Sequence, residues 1–344
     1  MTAQEKDKRP LSPISREFLI NSISLLLLIL VLFIGVRFAR KNWDIFVGLV
    51  ELSPAYIVYM SGLILAFQLL SGVKIKILTS IFGLDLKTRE WFGLAQANSL
   101  LNYLPVRGGS ALSAFYLKGF HNFPITEYLA VLTAGFAVTT AVFSTAGCFA
   151  AILVSLIFGV FPLYTLTVYV LLIVSIFLLF VFVRLVAKRV RNRHLVRFLS
   201  GWEKIREGGR RLAALVVLDF AMISMDAVRI KLSYGRFGAD LNYFMGLTMV
   251  PVSNLASVVS LIPGGLVARE FVMGLISGEM GMGFDVGVFA SSLDRVVLFF
   301  WILLLGSVSL VSLHRYRTRY RTRYRANSGK RRGKEEEKSV VQNT

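Results

Sequence analysis

The chain has 344 residues, 55% hydrophobic and only 17% charged, against roughly 45–50% apolar and about 25% charged in ordinary soluble domains. With a mean hydropathy of +0.65, this is a membrane protein's composition. Its polar stretches reach only about 30 residues, short of the roughly 50 of the smallest domains, which excludes a soluble catalytic domain. The net charge of +19 would raise nucleic acid as a partner, but Arg184–Arg211 (10 basic, 2 acidic) and His314–Thr344 (11 basic, 3 acidic) hold 16 of the 19 charges. Both segments follow long apolar runs, where the positive-inside rule places cytoplasmic Lys and Arg. Anionic lipid is therefore expected as the partner, and nucleic acid is not. One cysteine, Cys148, and three scattered histidines exclude a disulfide framework, a Cys-based zinc site and an iron–sulfur cluster, so no metal or other cofactor is expected.

Residues 1–17 are polar and read as a cytoplasmic tail. Phe18–Val36 follows with 19 uncharged residues, enough to cross a core of roughly 30 Å at about 1.5 Å per residue, and no small-residue cleavage site follows it. A second span runs from about Pro54 to Val73 and ends at Lys74 and Lys76. Between Lys118 and Arg184 there is no Lys or Arg, and Glu127 is the only acid. A single helix there would be about 100 Å long, so the chain turns back, at Gly159-Val160-Phe161-Pro162, to give spans near 127–158 and 163–183. The basic stretch 184–211 reads equally as an amphipathic surface helix or as a solvated connector. Further spans cover about 212–232 and 286–313. The tail after them is low in complexity and is expected to be disordered in water.

Charge bookkeeping orients these spans. If 184–211 and the tail are both cytoplasmic, the segment 240–283 begins and ends outside, and by the same count 90–125 begins and ends inside. Each consists of two apolar pieces separated by a Pro-Gly break, at Pro105–Gly109 and at Pro263-Gly264-Gly265. The expected fold is an all-α polytopic membrane bundle, residues 18–313. It has about six full spans and two broken or re-entrant hairpins in inverted halves, or eight spans if the hairpins cross. Broken helices in inverted halves point to a transporter's midplane site. The competing reading is a kink between ordinary spans.

The first break sets Asn98 and Asn102 on one helical face, followed by Pro105, Arg107, Gly108 and Gly109. The restarting helix and Arg107 together could cradle a phosphate, or Arg107 could snorkel to headgroups. The second break repeats the recipe from Asn254 through Pro263, Gly264 and Gly265 to Arg269 and Glu270. Adjacent helical residues do not face each other, so Glu270 is expected to reach Arg295 or a ligand. Asp219, Asp226 and Arg229 charge the 212–232 span, and Asp294-Arg295 the last one. Charges at mid-helix are costly and therefore paired or functional. No nucleophile–base–orienter set or nucleotide loop appears, so an enzyme is not expected.

The stretch from Asn98 through Tyr103-Leu104-Pro105 to Arg107-Gly108, the stretch Leu261-Ile262-Pro263-Gly264-Gly265 with Arg269-Glu270, and Ser292-Leu293-Asp294-Arg295 resemble the lysylphosphatidylglycerol synthase transmembrane region, or flippase-like domain, family over about 15–315. The resemblance implies moving or handling a phospholipid or a polyprenyl-phosphate lipid across the inner membrane. The aminoacyltransferase domain of some members has no counterpart here. The family usually shows Gly-Glu where Gly109-Ser110 stand, and a Gly is common where Val267 stands. The leading expectation is a lipid translocator in the inner (plasma) membrane with both termini cytoplasmic and Arg107, Arg269 and Arg295 as anion contacts. The alternatives are a non-autonomous subunit of glycolipid or headgroup synthesis and a membrane scaffold.

Overall fold

In a computed structural model, the described residues are 53–103, 108–187, 207–259 and 267–342, and all regular structure among them is helical. The expected span at 18–36 and most of the basic segment 184–211 lie outside them. The helices are α1 (Pro54–Ile81), α2 (Thr88–Leu101), α3 (Gly109–His121), α4 (Ile125–Phe158), α5 (Leu163–Ala187), α6 (Gly209–Gly235), α7 (Tyr243–Val259), α8 (Ala268–Glu279) and α9 (Phe284–Gln342). Three are long and apolar enough to cross a membrane: α1, α4 and the Phe284–Leu313 part of α9.

Local sequence sets the boundaries. Ser53 caps α1 by accepting the Tyr56 amide at 3.3 Å, with Pro54 in the first turn. Along α1, Tyr56, Met60, Ile64, Gln68 and Gly72 are buried at every fourth position, so one narrow stripe faces the bundle. The helix does not stop at Lys74 and Lys76 as the charge pattern suggested. It runs on to Ile81 because Lys74 turns inward to an ion pair with Asp219 of α6. Gly159, at φ 66°, ends α4 in the left-handed conformation, and Pro162 follows just before α5, so the expected turn at 159–162 is where the chain reverses. Beyond Leu313, α9 continues as helix to Gln342, where the sequence suggested disorder in water; Arg, Lys and Glu, which dominate there, are good helix formers.

Packing follows a single spine. α8 lies antiparallel to the first half of α9: Gly274 sits against Phe284 and Val288, Gly287 against Met273 and Ser277, and Glu270 reaches Arg295. α2 lies antiparallel to the second half: Gly93 sits against Leu313, Gly306 against Leu100, and Tyr103 against Phe299 at 5.2 Å between ring centroids. α6 pairs antiparallel with both α9 and α1, through Arg229–Asp294, Tyr56–Ser233 and Arg211–Ser80. One end of the bundle therefore gathers Ser53, Arg236, Glu279 and the start of α5, and the other gathers Ser80, Glu90, His121 and Leu313.

Two helix pairs do not run from end to end. α2 and α3 have 14 and 13 residues, and α8 has 12, about 18–21 Å each against a hydrocarbon core of roughly 30 Å. The base of the α2–α3 hairpin closes at one end of the bundle, where His121 meets Glu90 at 3.1 Å. The α7–α8 pair starts and finishes at the other end. Their inner tips, Tyr103 and Arg269, arrive beside residues 294–299, halfway along Phe284–Leu313.

The surface is apolar and the centre is polar. Leu156 is 76% exposed, Phe161 72% and Val217 67%, whereas Asp219, Thr248, Ser291 and Asp294 are fully buried. Exposed apolar area on this scale needs a non-aqueous solvent. Small residues bring the helix axes together inside it. A Cβ on Gly287 would stand 2.5 Å from the Met273 carbonyl oxygen, and one on Gly306 would stand 2.5 Å from the Leu100 Cβ. Gly287→Ala is accordingly expected to destabilise the detergent-solubilised protein by about 1–3 kcal/mol. Gly62→Ala, whose Cβ meets nothing within 4 Å, should be neutral or stabilise by up to about 1 kcal/mol. Thermal unfolding of both variants checks the pair, and equal melting temperatures would contradict the close α8–α9 crossing.

Candidate functional site

The buried positions of α6 include Leu215, Asp219, Met222, Asp226, Arg229 and Ser233. This three-and-four spacing turns Asp219, Asp226 and Arg229 into the bundle, while Arg210, Arg211 and Lys231 of the same helix are exposed. Arg229, 1% exposed, clasps Asp294 of α9 through two parallel bonds, Nε to Oδ1 and Nη2 to Oδ2, each 2.8 Å. Its Nη1 donates to Asp226 Oδ1 at 2.9 Å, and Asn254 of α7 donates to the other oxygen of Asp226 at 3.1 Å. The Phe67 ring of α1 lies 5.9 Å from the guanidinium carbon. Arg269 of α8 approaches Asp294 Oδ2 at 3.1 Å. One guanidinium thus ties together α1, α6, α7, α8 and α9.

The start of α8 is strained and charged. Val267, at φ 70° and ψ −40°, precedes the helix in a conformation rare for a β-branched residue. Arg269 and Glu270 occupy the first turn and diverge, as neighbours on a helix must. Glu270 receives Arg295 Nη1 on both its oxygens, at 3.0 and 3.2 Å, so the last span's Asp294 and Arg295 also serve different partners. Arg269 is 4% exposed, yet among the described residues its Nε and Nη2 have no hydrogen-bond acceptor. The contact between Nη2 and Asp294 is an ion pair without hydrogen-bond geometry.

At the first break, Asn98 Oδ1 accepts the Ser113 hydroxyl at 3.0 Å, and the Tyr128 hydroxyl joins the same group. Asn98 is therefore occupied in joining α2 to α3 and α4. Asn102 is exposed at the end of α2. A Cβ on Gly109 would fall 2.6 Å from the Asn98 carbonyl oxygen and 2.7 Å from Asn102 Oδ1, so only glycine lets α3 begin this close to α2. Gly108 is the N-cap of α3. Pro105, Arg107, Pro263, Gly264 and Gly265 lie outside the described residues.

Asp219 and Asp226 share a face of α6 but not a site. Asp219 pairs with Lys74 and accepts the Thr139 hydroxyl at 3.1 Å. Sequence reading missed Lys74 and Thr139 as its partners, because a lysine at the end of an apolar run looks like a boundary. It also missed Glu90, 3% exposed, which takes the Lys87 amide at 3.0 Å, the Tyr116 hydroxyl at 3.0 Å and His121 at 3.1 Å. The available signal there was the glutamate three residues after the N-cap, the position of a capping box. Among the described residues no group of His, Cys, Asp and Glu could hold a metal ion.

Compared with known proteins, residues 20–306 match the family model described as the Lysylphosphatidylglycerol synthase TM region. No curated protein and no solved structure matches the chain.

Removing Arg229 would strip the buried Asp226 of its ion pair and leave Asp294 with Arg269 alone, a contact without hydrogen-bond geometry. Arg229→Ala is expected to cost about 3–5 kcal/mol, and Arg229→Lys to recover little of it, since lysine lacks the two-pronged geometry. Melting temperatures in detergent check this; a stable Arg229→Ala variant would contradict the keystone role. Val267→Gly should act oppositely and stabilise by about 1 kcal/mol, since glycine adopts positive φ without the Cβ clash.

Proposed function

The chain belongs to the Lysylphosphatidylglycerol synthase TM region family, and from that membership, which carries a membrane-lipid role, we propose that it translocates a phosphate-bearing lipid, a phospholipid or a polyprenyl-linked one. The observation that carries this reading is the meeting of two opposed hairpin tips halfway along α9, beside a buried arginine with hydrogen-bonding capacity to spare. Irregular backbone survives at membrane depth only where it lines a polar cavity or is enclosed by protein. Opposed broken hairpins put such a cavity within reach of both faces as one half rocks against the other.

On this reading the headgroup enters at Arg269, the acyl chains stay in lipid against the apolar exterior, and the Arg229–Asp294 and Arg295–Glu270 pairs hold the frame. The protein performs no group transfer of its own. The bundle end that carries Lys87, Arg89, Lys118, Arg210 and Arg211 faces the cytoplasm of a cell whose inner membrane holds the protein, as the positive-inside rule requires. Both termini lie on that side.

Two measurements test the proposal. In vesicles reconstituted with the purified protein, a fluorescent phosphatidylglycerol should become accessible from both leaflets, and Arg269→Gln should abolish this while the folded protein remains. Vesicles that bind the lipid yet exchange none between leaflets would favour a non-autonomous subunit of lipid-headgroup synthesis. In a Cys148→Ser background, a cysteine at the exposed Ser110 should react with an impermeant maleimide only in inverted vesicles. One at the half-exposed Val267 should react in intact cells. Labelling of both from one side would rule out opposed hairpins.

A further inference from the structure

Arg269 shows which part of itself is available. Its Nε and Nη2 form the side edge of the guanidinium, the same edge with which Arg229 grips Asp294 at 2.8 Å in two places. In Arg229 that edge is filled by a carboxylate; in Arg269, buried to within 4% of full enclosure, neither nitrogen has a hydrogen-bond acceptor among the described residues. A forked donor edge held out of water without an acceptor fits a planar pair of anionic oxygens. Arg269 also stands in the first turn of a 12-residue helix, at the positive end of its dipole.

A second donor comes from the other hairpin. Tyr103 follows the last turn of α2, its ring held by Phe299. It lies within electrostatic reach of Arg295, Arg269, Asp294 and Glu270, and of Arg229. Its hydroxyl makes no hydrogen bond to the residues described. A phenol O–H beside three arginines, which have no acceptor atoms of their own, is a donor awaiting an anion.

We propose that Tyr103 Oη and the Nε–Nη2 edge of Arg269 together seat one phosphate-type anion, so that a bound headgroup bridges the tips of the two hairpins. The proposal rests on the lipid-handling reading above and adds a residue, a stoichiometry and a mechanical consequence. Arg269 takes the two non-ester oxygens of a phosphodiester, and the tyrosine donates to one of them. Asp294 and Glu270 stand close by and disfavour a second negative charge, so the seat selects a singly charged diester over a dianionic monoester. Because α2 enters from one end of the bundle and α8 from the other, occupancy joins the two halves and release lets them part.

The test uses full-length protein in detergent titrated by calorimetry with dioctanoyl phosphatidylglycerol and, separately, with inorganic phosphate. Tyr103→Phe keeps the ring on Phe299 and removes only the hydroxyl; it should weaken phosphatidylglycerol binding roughly tenfold with an unchanged ligand-free melting temperature. Arg269→Lys keeps the charge beside Asp294 without the fork and gives an independent reading, at least tenfold weaker. The double variant should lose less than the product of the two, since both groups act on one anion. Binding by Tyr103→Phe equal to wild type, or strictly multiplicative losses, would overturn the bridged seat. Inorganic phosphate binding as tightly as the lipid, with the same dependence on both residues, would overturn the preference for a diester and assign the seat to free phosphate. Should vesicles still exchange lipid while neither substitution affects binding, lipid translocation stands and the bridge does not.

Discussion

A guanidinium enclosed by helices must find acceptors for its hydrogens or make the fold untenable, and Arg229 finds them on two carboxylates from two helices. The bidentate grip on Asp294 fixes the rotation and height of α6 against α9. The third bond, to Asp226, is passed on to Asn254 and so positions α7. Asp294 in turn holds Arg269 and the start of α8. Buried pairs of this kind are weak evidence for net stability, since the desolvation of each charge offsets most of the attraction. What they supply is geometry: an apolar bundle of the same volume could slide or rotate by a turn, and this one cannot without stranding a charge.

That constraint explains why the polar centre and the hairpin tips coincide. A helix that stops halfway through a membrane exposes peptide groups with no partner, and only a polar surrounding can accept them. α2 and α8 both stop beside residues 294–299 of α9, where the charges of α6, α8 and α9 already gather. The six charged groups Asp226, Arg229, Arg269, Glu270, Asp294 and Arg295 balance in sign. Five of them are committed to one another through close hydrogen bonds, whereas Arg269 makes none through its Nε and Nη2 among the described residues. The proposed seat for an external anion rests on that asymmetry.

The bases of the hairpins are built differently from their tips. Glu90 collects an amide, a phenol and an imidazole where α2 and α3 close. Glu279 accepts the Tyr164 amide at 2.6 Å and the Thr165 hydroxyl at 2.7 Å, which fastens the end of α8 to the start of α5. Each hairpin is thus clamped at its outer end by a satisfied carboxylate and meets its opposite number through the less satisfied centre. On the proposed function, this division places movement at the tips and keeps the hairpins intact as units.

The sequence by itself determined the class of the molecule. Uncharged runs and Gly-Pro turn chemistry marked an all-helical bundle with apolar spans and the reversal at Gly159, because hydropathy and turn chemistry act over a few neighbouring residues. The motif pairs around Pro105 and Pro263 were enough to mark the family. It also nominated the charged residues, since a charge at the centre of an apolar run is visible without coordinates. Which charges meet was decided only by tertiary structure. Asp219 and Asp226 lie seven residues apart on one face, yet the first belongs to Lys74 and Thr139 and the second to Arg229 and Asn254. Lys74 reads as the end of a span until α6 supplies its partner, and Tyr103 reads as an ordinary aromatic until Phe299 of α9 seats its ring. Pairing across a bundle depends on helix rotation and depth, and these are set by contacts between residues 65 to 196 positions apart, beyond what local pattern can encode.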